Sequence, residues 1–558
     1  MHKAYLGALA TLSQAVGSWA ATVTYDWNVT WVSGAPDGFN RPIIGINNEW
    51  PCPLIEANVG DTIVINMTNK LVNETTGLHF HGINQINSNF MDGAAGSNQC
   101  PVPPEYSISY SFLADSAGTY WYHSHNMGQY PDGLRGPLIV HDPADPYLND
   151  YDEDIILTVS DWYHSQTPAL VQQMLQPNNT EFLPPHPNSI TVNEGANGLI
   201  PVEAGKTYRI RIINFSALTA AFISFESLSM DVVMIDASYV RRQTVDQLRI
   251  SASQRYDILV TPSGSDDIYP YLLALDTNRD YTSEQESAAF HDNFTGALTI
   301  SSDDSTSDAV TAIPTFSVSA FQPFNDVQFQ PYDNQPAYGP VTKHWVLNFD
   351  YCQDANGYPR ACFNGSTFID QTVPTLYSVA SLGGNNTEVE AYGSVGAFTV
   401  AYGEVLEIVI NNNDTGVHPF HLHGHQFQVL ERPFSNAGDW DGSDWAGNPV
   451  PPRRDTVDVY AHSHVVLRIV ANNPGVFLLH CHIEWHVEMG LAATLIEAPE
   501  RLIDYPIPQD HIDVCEALGV PTSGNAAGNA VWWDTDGFIT VPPTTFTGSL
   551  FLEPGTSS

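Results

Sequence analysis

Four pairs of histidines, each pair split by a single residue, constrain this chain more than any other feature: His79-Phe80-His81, His123-Ser124-His125, His421-Leu422-His423 and His480-Cys481-His482. On an extended strand alternate side chains share a face. Each pair can therefore aim two imidazoles at one cavity while the residue between them faces away. In the last pair that residue is Cys481, a soft thiolate, with His486 five positions on; His418 lies just before the third pair. One thiolate with two imidazoles is the ligand set of a blue copper centre. The eight paired histidines then suit a cluster of several coppers directly behind it. A lone His-x-His is more often a hydrogen-bonded, inert pair, but four pairs flanked by Gly82, Gly424 and Gly490 are a different matter. Zinc fits poorly, because a structural zinc closes with four ligands and a catalytic one with three plus water. Two kinds of copper site joined through one tripeptide imply electron transfer into a multi-electron reaction centre.

At 558 residues the chain exceeds one hydrophobic core and calls for two to four domains. It carries 19 Lys and Arg against 62 Asp and Glu, a net charge of -43. That excludes nucleic acid and anionic membrane surfaces as partners and favours neutral or cationic ones. Residues 1–20 read as a secretory signal, with Lys3, an apolar run over 4–10 and a small-x-small site at Ser18-Trp19-Ala20. Asn-x-Ser/Thr acceptors stand at Asn28, Asn66, Asn73, Asn178, Asn214, Asn293, Asn364, Asn385 and Asn413. No later stretch has the apolar length to span a bilayer, and residues 548–558 carry neither a hydrophobic tail nor a lipidation signal. The expectation is a secreted, glycosylated monomer, extracellular or cell-wall associated, without a membrane anchor. With Cys481 committed to metal, five cysteines remain. Cys352 and Cys362 could close a local loop and Cys100 and Cys515 could tie the first domain to the C-terminal extension, leaving Cys52 buried and inert.

Apolar alternation over residues 62–67, 106–113, 208–213, 405–410 and 465–470, broken by Gly, Pro, Asn and Asp, indicates β-sandwiches. A repeat is visible. Glu56-Ala57-Asn58-Val59-Gly60-Asp61, Val202-Glu203-Ala204-Gly205-Lys206 and Val400-Ala401-Tyr402-Gly403-Glu404 each precede a strand that ends at asparagine. Three copies of one sandwich are the simplest explanation. The expected division is 21–143, 144–305 and 306–505, the last including a connector, followed by an extension over 506–558. The paired histidines fall only in the first and third units, which leaves the middle one as a spacer and part of the substrate wall.

His79-Phe80-His81-Gly82, Trp121-Tyr122-His123-Ser124-His125, His418-Pro419-Phe420-His421-Leu422-His423-Gly424-His425 and His480-Cys481-His482-Ile483-Glu484-Trp485-His486 resemble the motifs of the multicopper oxidases, above all the fungal laccases and fungal iron-uptake ferroxidases. The resemblance implies an all-β fold of three consecutive cupredoxin-like Greek-key β-sandwich domains. It implies four copper ions: one blue type 1, one type 2 and a type 3 pair. It assigns His418, Cys481 and His486 to the blue copper and His79 and His421 to the type 2 copper. The type 3 pair takes His81, His123 and His482 on one ion and His125, His423 and His480 on the other. By family spacing Leu491, a non-ligand, occupies the axial position of the blue site, while His425 and His164 are not ligands. The implied chemistry is one-electron oxidation of a donor at the blue copper and four-electron reduction of dioxygen to water at the cluster. Asp92 and Glu484 resemble acidic positions near the cluster, as proton donors or as partners that orient ligand imidazoles.

The donor is the open point. Phenols or aromatic amines need an accessible edge of His418 or His486 and an apolar cleft, whereas iron(II) needs hard oxygen ligands close by. Asp414, in Asn413-Asp414-Thr415-Gly416, resembles the ferroxidase position that serves iron; it could equally accept a phenolic proton or simply form a turn. Asp161 stands where many laccases have Asp and the ferroxidases Glu, and Asp276 or Asp280 could add a carboxylate. The expectation drawn from these residues is a laccase-like oxidase of phenols or aromatic amines. The alternatives are a ferroxidase and a non-catalytic copper carrier.

Overall fold

The computed structural model describes residues 20–264, 266–276, 293–300, 313, 324–443 and 447–543. Nearly all of the signal segment, most of the polar stretch after residue 301, Asp280 and the last fifteen residues lie outside the described residues.

The described chain forms six sheets, two from each of three successive stretches. The first stretch runs from the strand Thr22–Gly34 to Arg135–His141, the second from Glu153–Trp162 to Asn293–Ile300, and the third from Lys343–Gln353 to Ala492–Glu497. Each pair of sheets closes over its own apolar core. Ile63, Ile65 and Met67 face inward from alternate positions of Thr62–Asn69, as period-two patterning requires. The expected all-β architecture of three consecutive sandwiches is what the chain adopts. Helices among the described residues are short, the longest being Gln509–Ala517, and none is long and apolar enough to cross a membrane.

The sequence repeat has a structural counterpart. Thr22–Gly34 pairs in parallel with Thr62–Asn69, Glu153–Trp162 with Tyr208–Asn214, and Lys343–Gln353 with Val405–Asn412. Each second strand is the one introduced by the repeated motif. The terminal asparagines do the same work in every copy. The Asn69 amide donates to the carbonyls of Glu74 and Val102, that of Asn214 to Thr219 and Ile250, and that of Asn412 to Gly416, Val459 and Tyr460. Their oxygens accept the backbone N–H two residues on, from Leu71, Ser216 and Asp414. This corrects one reading: Asn214 is fully buried with its amide nitrogen committed to two carbonyls, so it is no glycan acceptor in the fold. The other eight acceptor asparagines are exposed or half-buried.

Cys100 and Cys515 form a disulfide with Cα atoms 5.3 Å apart, and Cys352 and Cys362 form another at 6.0 Å. Cys52 is buried outside both, and burial pushes its thiol up to about 12.

Candidate metal centre

The first pair lies on the strand His79–His81, antiparallel to Gly118–His123, with His79 opposite His123. The third lies on His418–Leu422, antiparallel to Gly475–Cys481, with His421 opposite His480. Inner strands of the first and third sandwiches thus bring the four pairs to one buried place. Alternation holds locally: Phe80 points the other way, against Tyr110 and Phe112 in the core. The turn through Asp92 passes so close to His79 that a Cβ on Gly93 would lie 1.7 Å from the Leu78 carbonyl oxygen, which requires glycine at its φ of +83°.

Five groups of side chains converge among the described residues, each with ligand atoms within 4.8 Å of one another: His79, His81 and His421; His81, His123 and His482; His125, His423 and His480; His418, Cys481 and His486; and His79, Asp92 and His423. Three of these groups have the members the family resemblance implies for one ion each, while His81 also joins His79 and His421, the two residues it implies for the type 2 copper. Around Cys481 Sγ, His486 Nδ1 lies at 3.6 Å and His418 Nδ1 at 3.7 Å, with 3.1 Å between the two nitrogens. That triangle leaves a centre roughly 2 Å from each atom, a metal–ligand separation. Leu491 and Met489 are buried in the same core as Cys481.

The donors fit copper by their unmet valence. His79 Nε2, His81 Nδ1, His123 Nε2, His421 Nε2 and both nitrogens of His482 are buried and have no hydrogen-bond partner among the described residues. A buried polar atom left so costs ~1–3 kcal/mol. In four of these rings the opposite nitrogen is anchored. His79 Nδ1 donates to the Asp92 carbonyl at 2.7 Å, His123 Nδ1 to the Ser124 carbonyl at 2.9 Å, and His421 Nδ1 to the Asp455 carbonyl at 2.8 Å. His81 is held instead by Nε2, which donates to Asp455 Oδ1 at 3.1 Å. Each anchor fixes the tautomer that turns a bare nitrogen inward.

Asp92 is buried, and its Oδ2 accepts from His423 Nδ1 at 2.7 Å. Burial works to raise its pKa, but the His423 and His79 imidazoles outweigh it and hold the carboxyl well below the usual range. It is thus an ionised acceptor that orients a ring. Glu484 opens the short helix Glu484–Glu488; burial and then the Glu488 carboxylate push its pKa well above the ordinary value. His425 spends both nitrogens elsewhere, on the His423 carbonyl and, at 2.7 Å, on Glu497. His164 pairs with Asp37 and stacks on Phe39.

At the Cys481 group the outward nitrogens are covered. His418 Nε2 donates to Asp414 Oδ2 at 2.9 Å, and His486 Nε2 lies 2.9 Å from the Tyr351 hydroxyl, whose ring stacks on Phe182 with centroids 5.0 Å apart. Both imidazoles are fully buried, so neither offers the accessible edge that contact with an organic donor requires. Asp414 is also a turn former, accepting the Gly416 N–H at 2.9 Å, which is one of its three sequence readings. Asp161, weighed above as a laccase-like residue, is a buried acceptor for the backbone N–H groups of Ala217, Leu218 and Thr219 and carries no information about the donor. Asp276 is tied to Arg249 at 2.9 Å. Sequence reasoning missed Asp455 and Tyr351. The only local signal for Asp455 is the run Arg453-Arg454-Asp455 leading into an otherwise buried strand, and Tyr351 has none.

Multicopper oxidase family models match residues 28–145, 153–295 and 368–501. The iron transport multicopper oxidase fetC of Epichloe festucae is 44% identical over 518 residues, covering 91% of this chain and 82% of that protein. The iron transport multicopper oxidase FET3 of Gibberella zeae is 40% identical over 519 residues, with 91% and 82% covered. Among solved structures, Fet3p, described as a multicopper oxidase that functions in iron import, superimposes with a TM-score of 0.86 at 34% identity, covering 92% of this chain and 98% of that one. The laccase from Botrytis aclada gives 0.77 at 26%, covering 90% and 93%. These findings overturn the laccase-like expectation: the likeness to iron transport oxidases is the stronger in both sequence and structure, and the covered imidazole edges give the physical reason. The chain belongs to the multicopper oxidase family, copper-dependent oxidoreductases that carry type 1, type 2 and type 3 copper and use dioxygen as acceptor.

Proposed function

We propose that this protein is a ferroxidase, oxidising iron(II) to iron(III) one electron at a time while dioxygen is reduced to water. The observation that carries this reading is the hydrogen bond from His418 Nε2 to Asp414 Oδ2, which sets a partly solvent-facing carboxylate directly against a blue-site imidazole. Hard carboxylate oxygen suits iron, and the relatives named for iron transport support the same donor. His418, Cys481 and His486 would hold the blue copper, His79 and His421 the type 2 copper, and His81, His123, His482, His125, His423 and His480 the type 3 pair. When bound, these coppers supply one-electron acceptance on the donor side and storage of four electrons for dioxygen on the other.

The chain's own residues do the rest. Asp414 binds the incoming cation and couples it to His418. Tyr351 and Phe182 close the His486 edge, so the iron side is the open one. Asp92 holds His423 in register, and Glu484, two positions along the chain from His482, serves as a proton donor for the reduction of oxygen. A charge of -43 concentrates cations near the surface, and the accessible acceptor asparagines support an extracellular, glycosylated protein. The test is oxygen uptake by the copper-loaded enzyme with iron(II), a methoxyphenol and an aromatic amine in parallel. Iron(II) should give the highest kcat/KM. Equal or better turnover of either organic donor would remove the ferroxidase reading.

A further inference from the structure

The middle sandwich contributes no member of the histidine groups, yet one of its side chains reaches them. Arg255, first residue of the strand Arg255–Val260, is fully buried. Its Nη1 and Nη2 donate to Oδ1 and Oδ2 of Asp455 at 2.7 and 2.5 Å, and its Nε donates to the Thr119 carbonyl at 2.7 Å. Asp455 in turn serves two ligand rings. Its Oδ1 accepts His81 Nε2, and its main-chain carbonyl accepts His421 Nδ1. Asp236, also of the middle sandwich, takes the Arg255 backbone N–H at 2.9 Å and both ends of the Arg454 guanidinium. Space for the pair is kept by Gly82, at φ +90°, where a Cβ would lie 2.7 Å from Arg255 Nη2 and 2.9 Å from Asp455 Oδ2.

The tautomer makes this arrangement consequential. His79, His123, His421, His423 and His480 are all held through Nδ1. Among the described cluster rings held from behind, outside the Cys481 group, His81 alone is gripped at Nε2, leaving Nδ1 bare toward the cluster. An imidazole left to itself exchanges between two tautomers, and only an acceptor fixed behind Nε2 selects the one needed here. A carboxylate gripped at both oxygens cannot swing away, and a bidentate guanidinium supplies that grip where a lysine cannot.

We propose that Arg255 is a positioning residue for the copper cluster: by clamping Asp455 it locks His81 in the tautomer that presents Nδ1, so the middle sandwich controls copper retention without supplying a ligand. The proposal rests on His81 being a copper ligand and is independent of which donor is oxidised.

Its test is copper release from the loaded holoenzyme to a chelator, following blue absorption for the type 1 copper and total copper per chain for the rest. Arg255→Lys keeps the charge and most of the volume, and Arg255→Met removes the clamp. Both should release cluster copper faster than the parent, about 10-fold or more for Arg255→Met, while the blue band decays at the parental rate. Loss of blue and cluster copper in parallel would mark a general loosening and overturn the proposal, as would parental retention in both variants. His81→Gln is the control: parental cluster copper in that variant would remove the ligand reading itself. Selective loss in His81→Gln with parental behaviour in both Arg255 variants would remove Arg255 alone.

Discussion

Asp92 shows how one side chain can be legible in sequence while its task is not. Its place in Met91-Asp92-Gly93 marked it as a candidate, but only the fold shows that its Oδ2 takes the His423 proton while its carbonyl takes that of His79. Removing its side chain frees the His423 ring, while the main-chain carbonyl that holds His79 stays in place. Asp92→Ala should therefore weaken copper binding at the cluster by roughly 10–100-fold, read as copper per chain at limiting copper, with the blue absorption of the Cys481 site retained. The histidine pairs themselves were readable because a strand repeats every two residues, so spacing alone assigns faces. Asp455 and Tyr351 were not, because each reaches its histidine across the fold: 374 residues separate Asp455 from His81 and 135 separate Tyr351 from His486. No local pattern encodes such a contact. Asp161 misled for a related reason. The residue type was read as a substrate preference, whereas its oxygens are consumed by three backbone N–H groups.

At the level of elements, the repeated strand with its terminal asparagine is the unit from which the molecule is built. The strand was visible as alternation and the asparagine as a recurring letter. What the asparagine does needed the carbonyls it bridges, two in the first and second copies and three in the third. Asn214→Ala leaves the Thr219 and Ile250 carbonyls buried without their donor. At ~1–3 kcal/mol for each orphaned group, the middle sandwich should unfold at a lower denaturant concentration than the other two, resolved by hydrogen exchange of its strands. The same burial predicts that peptide mapping of protein made in a glycosylating host finds glycan at other acceptors but never at Asn214. Glycan at Asn214 on folded protein would contradict the shared role of the three asparagines.

Over the whole molecule, the sandwiches are joined by buried ion pairs as well as by apolar contacts that run between them. Asp326 receives Arg432 and Arg454, both at 2.5 Å, and Arg454 continues to Asp236 of the middle sandwich. Burial works to raise the pKa of Asp326 and Asp236, but Arg432 and Arg454 on the first and Arg454 and Arg255 on the second outweigh it, so both are lowered. A carboxyl whose folded pKa lies below its unfolded value binds fewer protons folded than unfolded. Its stabilisation is complete above the unfolded value near ~4 and is lost as pH falls through the lower folded value. Thermal stability should therefore be flat near neutrality and fall steeply below about pH 4. Asp326→Ala strands the buried Arg432 guanidinium, leaves Arg454 with Asp236, and should cost about 3–5 kcal/mol near neutral pH, with a shallower acid limb than the parent. Three sandwiches were readable from the repeat, but the joints were not, because their partners lie more than a hundred residues apart.

In the proposed ferroxidase the donor's electron enters at one edge of the blue site, through Asp414 and His418, because Tyr351 and Phe182 close the other. The most direct measurement is anaerobic stopped-flow bleaching of the blue absorption by iron(II) and by a methoxyphenol, in the parent and in Asp414→Ala. Electron entry through Asp414 predicts that iron(II) bleaches the parent faster than the phenol does, and that Asp414→Ala slows the iron(II) phase by about 10-fold or more, the loss of a single charged contact of ~1.5–3 kcal/mol, while leaving the phenol phase near its parental rate. An iron(II) phase unchanged in Asp414→Ala, or a parent bleached faster by the phenol, would contradict it.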